Sequence, residues 1–284
     1  MLQRIGSGGI PVLSEKVYWT TVAGAWEENS AHSLWRRHSD AVNSALVTQW
    51  LPEPIGRLLK TDLFDEATGD GVYPALARKA RTVVGIDISL LTTRRARREW
   101  PACNALVADV RYLPFADNSF DAVFSNSTLD HFRSVDEIST SLNELRRVLR
   151  PGGTLLLTMD NLANPAIALR QALPFRLLDR LGLVPYYVGV TAGPKGLCRL
   201  VGAAGLEPNE VGAVMHCPRF LAVAMAGLLQ RFASLAAQTH FLRTLMAFER
   251  LARWPTRFLS GYFVAVKATK REPTQWTVLN SSVP

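Results

Sequence analysis

Three aspartates recur at a fixed interval, and that interval limits the folds open to this chain. Asp65, Asp87 and Asp109 are 22 residues apart, and each follows a short apolar run. Amphipathic helical patterns separate the runs between residues 60 and 160. This alternation is typical of a parallel sheet with crossover helices. Because the carboxyl ends of parallel strands meet at one edge of a sheet, we expect the three carboxylates to lie close together.

The apolar runs predict five strands in this region: Leu63–Phe64, Thr82–Ile86, Ala105–Val107, Asp121–Phe124 and Thr154–Thr158. A loop with Gly69 and Gly71 is expected after the first strand, and a helix from Val72 to Ala80 should follow it. Glycines in such a loop let the backbone approach a ligand closely.

Two serines mark predicted helix starts. Ser89 is positioned to cap the helix after the second strand, and Ser134 has capping-box spacing with Glu137. Outside the central region, the patterns predict helices over 20–51 and 195–204, two helices between 219 and 253, and a last strand at Tyr262–Val266.

Composition excludes several protein classes. The chain has 284 residues, of which 48% are hydrophobic and 20% are charged, so it can build a sizeable core and is not disordered or collagen-like. Cys103, Cys198 and Cys217 are widely spaced and form no Cys-x-x-Cys pair. The sequence therefore indicates neither a disulfide scaffold nor a metal site.

The positive charge is concentrated in the last part of the chain. The formal net charge is +8, yet residues 161–284 alone carry 14 basic and 5 acidic side chains. A basic half suits an anionic partner such as a membrane surface, a phosphate-bearing substrate or a nucleic acid, although a solvated surface explains it equally well.

No segment has the pattern of a signal peptide or a membrane span. Residues Met1–Leu13 lack a long apolar run, and Phe220–Leu229 has about half the length of a transmembrane helix. We expect a cytoplasmic protein, with contact at a membrane surface left open.

The spacing of the aspartates points to a class of ligand. An acidic residue about 20 positions after a glycine-rich turn can accept hydrogen bonds from a ribose. Each aspartate alone could instead cap a helix, end a strand or hold a turn. The three in register favour a binding site for an adenosine-type ligand.

Residues 63–159 resemble the class I S-adenosylmethionine-dependent methyltransferases of the small-molecule "type 11" kind. The resemblance rests on five segments in the family's order and spacing: Leu63–Gly71, Val84–Asp87, Ala108–Val110, Leu113–Val123 and Leu145–Thr154. It implies an α/β, Rossmann-like, doubly wound and mostly parallel seven-stranded sheet, with N-terminal helices and a C-terminal helical insertion. It also implies S-adenosyl-L-methionine as the cofactor.

The predicted organisation has four parts. Residues 1–58 form an N-terminal helical lead, 59–160 the cofactor-binding core, and 161–270 a substrate-side lid, a helical insertion and closing strands. Residues 271–284 form a polar tail that we expect to be mobile.

The resemblance also assigns the cofactor-binding residues. They are Asp65, Ala67, Gly69, Gly71, Asp87, Ile88, Asp109, Val110, Ser125 and Asn126. The loop from Asp65 would hold the methionine part, Asp87 the ribose, and Asp109 with Val110 the adenine. Ala67 departs from the glycine that is usual there, and an alanine resists the positive φ that such a turn can need.

His131 is the candidate general base, because a histidine pKa near neutrality suits proton removal from an oxygen or nitrogen acceptor. It could instead brace the next helix. Asp130 could orient it only if the backbone bends. Tyr186, Tyr187 and His216 are candidate substrate-binding residues that could also simply pack.

Two structural roles stay open at this point. Trp35 and His38 could close over the cofactor or pack in a core. The helices at 219–253 combine apolar stripes with arginines, which suits an interfacial helix, a homodimer interface, a substrate pocket or a core.

The predicted function is methyl transfer from S-adenosylmethionine to a small-molecule, glycan or lipid-linked acceptor, at oxygen. A non-catalytic partner protein with the same fold is an alternative that Ala67 favours. An NAD(P)-dependent oxidoreductase is less favoured, since the three-glycine fingerprint and a Tyr-x-x-x-Lys pair are missing. Nucleic-acid methylation is also disfavoured, because no Asn-Pro-Pro-Tyr-like motif is present.

Overall fold

The computed structural model describes residues 15–27, 33–181, 184 and 186–272. Seven strands form one sheet: β1 (Ile55–Lys60), β2 (Ala80–Asp87), β3 (Asn104–Val107), β4 (Phe120–Asn126), β5 (Leu149–Asp160), β6 (Leu206–Val214) and β7 (Phe263–Lys270). Their order across the sheet is β3-β2-β1-β4-β5-β7-β6. The pairs from β3 to β5 are parallel, whereas β7 runs antiparallel to both β5 and β6. The predicted fold class is confirmed.

The helices surround this sheet. They are α1 (Glu15–Glu27), α2 (Ser33–Trp50), α3 (Phe64–Thr68), α4 (Tyr73–Lys79), α5 (Leu90–Glu99), α6 (Val135–Val148), α7 (Pro165–Ala172), α8 (Phe175–Arg180), α9 (Pro194–Ala203), α10 (Arg219–Phe232), α11 (Leu235–Ala247) and α12 (Arg257–Ser260). Short 3-10 helices cover Leu129–His131 and Phe248–Arg253. Within the described ranges, none of these helices is long and apolar enough to cross a bilayer.

Each face of the sheet has its own core because side chains alternate along a strand. Leu59 of β1 belongs to the cluster that packs against α6 and α9. Its neighbour Leu58 belongs to the cluster on the opposite face, which packs against α2 and α4. Both leucines are fully buried. Helices therefore cover both faces of the sheet, as is expected of a parallel sheet.

Local signals placed most of the central elements correctly. The hydroxyl of Ser89 accepts a hydrogen bond from the Thr92 N–H, so it caps α5 as predicted. Ser134 and Glu137 form the predicted capping box of α6. Strands β2 to β5 overlap the predicted runs, and the two predicted C-terminal helices correspond to α10 and α11.

The predicted first strand is wrong. Residues 63 and 64 are not in a strand: Phe64 begins α3, and the first strand is β1, which ends at Lys60. Strand β1 lacks a clean apolar pattern because it contains Gly56, Arg57 and Lys60. A strand at β6 was not predicted as a separate element either. Most of the predicted tail, 273–284, lies outside the described residues.

Lys60 is a buried cation in the central strand. Its ammonium group lies 2.8 Å from the carboxylate of Glu66, and both side chains are at most 1% exposed. The same carboxylate accepts hydrogen bonds from the N–H groups of Val72 (2.9 Å) and Tyr73 (3.1 Å). The pair therefore joins the end of β1 to α3 and to the start of α4.

We predict that Lys60→Met lowers the free energy of unfolding by about 3–5 kcal/mol, because it leaves the buried Glu66 without a countercharge. The double variant Lys60→Met/Glu66→Gln should recover much of the loss. Urea unfolding of the three proteins measures this. Lys267→Met is the control: its pair with Glu210 (2.7 Å) is exposed to solvent, so its loss should stay below about 1 kcal/mol. Equal losses in both single variants would contradict the prediction.

Candidate active site

A cavity of about 200 Å³ lies at the carboxyl ends of the central strands. The strand order reverses between β1 and β4, and open α/β sheets bind ligands at such a reversal. Thr61 and Asp62, which follow β1, and Asn126, which ends β4, line the cavity. Side chains of α1 and α2 close its other wall, among them Trp19 and Trp35.

Six of the ten predicted cofactor residues line this cavity: Asp65, Asp87, Ile88, Asp109, Val110 and Asn126. The other four do not. Ala67 is helical and packs against the core, and Ser125 is fully buried with its hydroxyl accepting from Thr61. Gly69 ends α3, and the N–H of Gly71 donates to Asp40 rather than lining the cavity.

The expected problem at Ala67 does not arise. Ala67 lies inside α3 and is not among the residues with positive φ, so its methyl group causes no strain. Gly71 is the position that needs a glycine: its φ is +61°, and a Cβ there would lie 2.7 Å from Glu66 Oε1.

Asp87 is held with its carboxylate at the end of β2. Its two oxygens accept hydrogen bonds from the N–H groups of Ser89 (2.7 Å) and Leu63 (3.2 Å). Burial, together with the nearby Asp62, raises the pKa of Asp87 to about 7. A carboxylate carries more lone pairs than these two bonds use, so Asp87 can still accept from a ligand hydroxyl.

Asp109 is fixed by an arginine. The guanidinium of Arg111 donates to both carboxylate oxygens of Asp109, at 3.0 Å from Nε and 2.6 Å from Nη2. Arg111 also pairs with Glu15 of α1 and Glu137 of α6. This network ties α1 to the loop after β3 and so positions Asp109 and Val110 at the cavity wall.

Asp65 and Asn126 meet across the cavity floor. Asn126 Nδ2 lies 3.5 Å from Asp65, and its Oδ1 accepts from the hydroxyl of Thr158 at 2.8 Å. Burial is the main cause that raises the pKa of Asp65 to about 7. Three aspartates spaced 22 residues apart thus reach one cavity, although Asp65 does so from a helix.

Arg36 of α2 is a cavity residue that the sequence analysis missed. Its Nη1 atom is buried and has no hydrogen-bond partner among the described residues. Burial lowers the pKa of its guanidinium, against the opposing effect of Asp40 and Asp65. An unpartnered buried N–H group is costly, so this atom suits a ligand that brings an anionic acceptor.

Asp40 of α2 is the most strongly perturbed of these acids. It is 8% exposed and accepts a hydrogen bond from the Gly71 N–H at 3.2 Å. Burial, with the repulsion of Asp65 and Glu66, raises its pKa to about 8. Asp40 is not itself a cavity residue, but its carboxyl group repels that of Asp65, which lines the cavity.

His131 also lines the cavity. Its Nδ1 lies 3.1 Å from the carbonyl oxygen of Tyr187, and its ring packs against Trp19 and Tyr186. Because a carbonyl only accepts, Nδ1 carries the proton and Nε2 is the basic nitrogen. Asp130 does not orient this ring, contrary to the suggestion from sequence: its carboxylate accepts from the Ser127 hydroxyl and the Asp160 N–H.

The three candidate substrate residues have different positions. Tyr186 lines the cavity, and burial raises its pKa to about 12. Tyr187 faces a separate cavity beside α7 and α8, where it contacts Phe175. His216 is 4% exposed and does not line the main cavity, because its ring nitrogens are within hydrogen-bond distance of Ser260 Oγ (2.8 Å) and the Ala213 carbonyl (3.0 Å).

Residues 65–157 match a family model described as a methyltransferase domain. This segment is similar to the methyltransferase domains of that family. The predicted resemblance is confirmed, and S-adenosylmethionine is the cofactor of that family.

Curated relatives include enzymes with different acceptors. The UbiE C-methyltransferase of ubiquinone/menaquinone biosynthesis from Dinoroseobacter shibae is 36% identical over 145 residues, 48% of this chain and 52% of that protein. The malonyl-(acyl-carrier protein) O-methyltransferase of Xylella fastidiosa is 28% identical over 251 residues, 80% of this chain and 81% of that protein. Demethylmenaquinone methyltransferase of Renibacterium salmoninarum is 32% identical over 122 residues, 42% of this chain and 50% of that protein. This chain thus spans about half the length of two of these relatives.

Solved structures share the fold. The (4+2)-cyclase SpnF superposes with a TM-score of 0.58 at 19% identity, covering 94% of this chain and all of that one. Geranyl diphosphate C-methyltransferase from Streptomyces coelicolor gives 0.53 at 15% identity, covering 81% of this chain and 77% of that one. At these identities the likeness concerns the fold alone.

We predict that Asp40→Asn stabilises the protein at high pH only. An unfolded aspartate loses its proton near pH 4, whereas folded Asp40 keeps it up to about pH 8, so the wild type loses stability across that window. Asparagine can still accept the Gly71 hydrogen bond but carries no charge. Urea unfolding should show equal stability near pH 4 and an advantage of at least about 1.4 kcal/mol for the variant at pH 8.

The control is Asp179→Asn on exposed α8, whose difference from wild type should not change with pH. An Asp40→Asn protein with a pH-independent stability difference would show that Asp40 is not buried with a raised pKa.

Proposed function

We propose that the protein is a methyltransferase that uses S-adenosylmethionine and transfers the methyl group to an oxygen of a small-molecule, glycan or lipid-linked acceptor. One observation carries this proposal. A single cavity at the β1/β4 reversal brings together two aspartates at strand ends, Asp87 and Asp109, and a histidine with a defined basic nitrogen, His131.

The residues present fit the cofactor. Asp87 would accept hydrogen bonds from the ribose hydroxyls, and Asp109 with the Val110 backbone would take the adenine. The orphaned Nη1 of Arg36 would receive the methionine carboxylate, which is the anionic acceptor that this buried atom lacks. Asp65, whose pKa is raised by burial, lies where a positive charge would favour its ionised form.

When bound, S-adenosylmethionine supplies an electrophilic methyl group on a sulfonium. The protein's tasks are then to align the acceptor and to remove its proton. Nε2 of His131 would take that proton, while the Tyr187 carbonyl keeps the ring in the required tautomer. Tyr186 and Trp19, which pack against the ring, would exclude water from it.

The acceptor type is the finer part of the proposal. The names of the relatives include both a C-methyltransferase and an O-methyltransferase. The Xylella relative, which aligns over most of both chains, is an O-methyltransferase. This coverage and a candidate base within the cavity support an oxygen acceptor.

Calorimetric titration tests the cofactor part. We expect binding of S-adenosylmethionine and S-adenosylhomocysteine, and none of NAD. Arg36→Gln should weaken S-adenosylhomocysteine binding by about 10- to 100-fold, the cost of one charged hydrogen bond. Binding of 5′-methylthioadenosine, which has no carboxylate, should be unchanged by this substitution.

Arg37→Gln is the matched control, since Arg37 is adjacent in α2 but exposed, and it should leave all affinities unchanged. Equal losses for the homocysteine and methylthioadenosine ligands would refute the role of Arg36. An absence of binding to either adenosyl ligand would refute the proposed function and favour a non-catalytic partner.

His131→Gln tests the catalytic part. With whichever hydroxyl acceptor turns over in a panel of phenols, glycans and lipid-linked alcohols, we expect kcat to fall by about 100-fold or more. The variant should also lack the acidic limb of the pH–rate profile, the fall in rate at low pH, because this limb reports protonation of the base. S-adenosylhomocysteine release measures the rate.

His240→Gln on the exposed face of α11 is the control and should retain full activity. If His131→Gln keeps both its rate and its acidic limb, another group is the base.

A further inference from the structure

Helix α10 turns its large apolar side chains outward. Phe220, Leu221, Leu228 and Phe232 are between 55% and 76% exposed, and Met225 is 39% exposed. The spacing of 221, 225, 228 and 232 places them on one helical face. A surface helix of a monomeric protein normally shows the reverse pattern. We call this stripe the α10 apolar face.

The buried side of α10 explains why the exposed apolar residues are not core residues that face the wrong way. Ala222 and Ala226 are buried against a cluster that contains Leu34 and Trp35 of α2. Small residues let α10 lie close to α2, so its large residues have no room on that side. The α10 apolar face is thus a property of the folded protein, and it calls for an occupant.

Arginines are the predominant charged residues of the segment that contains this face. Residues 219–260 contain six arginines, one glutamate and no lysine or aspartate. Arg231, Arg243, Arg250 and Arg253 are exposed, and within the described part of the chain they make no ion pair. The single acid, Glu249, is already engaged by the N–H groups of Met215 and His216. The occupant must therefore tolerate or supply negative charge.

A second apolar surface lies around α7 and α8. Ile167 of α7 is buried in the cluster that holds Ala222 and Ala226, so α7 and α10 share a core. On the outer side, Leu169 is 63% exposed and Leu181, just after α8, is 62% exposed. The exposed Arg176 and Arg180 of α8 accompany them.

We propose that the α10 apolar face docks the protein on an anionic lipid bilayer. An apolar helical face that lies in the interface and is flanked by arginines and aromatic residues is the pattern of interfacial membrane binding. No described helix can span a bilayer, so the contact lies on the membrane surface. A second copy of the chain fits less well, because a twofold interface on this face would join two surfaces that are both rich in arginine and poor in acidic residues.

The α10 apolar face begins close to the cavity. Arg219, the first residue of α10, lines the cavity, and its guanidinium lies 4.3 Å from the centre of the Tyr262 ring. Phe220 and Leu221 follow directly and are exposed. The docked face therefore begins beside the cavity wall. The proposal concerns this surface and does not depend on methyl transfer.

Vesicle flotation of the full chain tests the proposal. We expect binding to vesicles that contain phosphatidylglycerol and much weaker binding to phosphatidylcholine alone. Phe232→Glu should reduce the affinity for the anionic vesicles by about tenfold or more. Tyr112→Glu is the matched control: Tyr112 is 74% exposed, against 76% for Phe232, but lies after β3. It should bind vesicles like the wild type.

A separate pair of variants tests how positive charge contributes to vesicle binding. Arg231→Gln and Arg243→Gln should each weaken binding to anionic vesicles by about fivefold, the equivalent of about 1 kcal/mol for each cation near the surface. Arg98→Gln on exposed α5 should have no effect. Phe232→Glu should keep its affinity for S-adenosylhomocysteine, measured on the same preparations. An unchanged affinity shows that the variant is folded and that only vesicle docking is lost.

Three results would overturn the proposal. The first is no binding to either kind of vesicle. The second is binding that Phe232→Glu and Tyr112→Glu reduce equally. The third is a wild-type dimer in sedimentation analysis that Phe232→Glu converts to a monomer without any vesicle binding, which would identify a second copy of the chain as the occupant.

Discussion

The buried ion pair of Lys60 and Glu66 is the constraint on which the site depends. It places a cation at the end of the central strand, at the point where the strand order reverses. Removing two charges from water is costly, and the pair is retained only because further hydrogen bonds satisfy Glu66. Those bonds come from Val72 and Tyr73 and fix the start of α4. Gly71 is required at +61° because a Cβ there would collide with the same carboxylate.

This pair also determines how the cavity is charged. Helix α3, which Glu66 anchors, brings Asp65 to the cavity, and α2 brings Arg36 and Asp40 to the same region. Burial raises the pKa of Asp65 and Asp40, so their ionised forms are disfavoured, and a nearby cationic group would favour those forms. The unpartnered Nη1 of Arg36 stores a second cost, which an anionic group can relieve. A zwitterionic ligand matches both.

Short-range sequence patterns predicted most of the sheet, and six of the ten residues that the resemblance assigned to the cofactor line the cavity. Strands β2 to β5, the Ser89 cap and the Ser134 capping box follow from short-range rules, and Asp87 and Asp109 follow from the ends of those strands. Strand β1 was misplaced because a buried lysine has no apolar signature; only the tertiary contact with Glu66 explains it. Strand β6 was missed because its register along β7 contains Pro208 and Glu210, which interrupt any alternation.

Arg36 could not be found from sequence for a different reason. In α2 it sits beside Arg37, and nothing local distinguishes the two. Only the packing of α2 over the sheet turns one guanidinium inward. The same reasoning applies to the outward residues of α10, since an apolar helix of this length is equally compatible with a core.

The acid-rich and arginine-rich parts of the sequence occupy different regions of the fold. Several acids of the first part, among them Asp65 and Asp109, line the cavity, and Lys60, Arg36 and Arg111 are the cations near them. Among the described residues, the exposed Arg231, Arg243, Arg250 and Arg253 form no ion pair. The two parts meet at Arg219, which faces the cavity as α10 begins. A chain that separates its charges in this way can hold a polar cofactor in one region and present an apolar, cationic face in the next. The charges that bind the cofactor then do not weaken the charges of the cationic face.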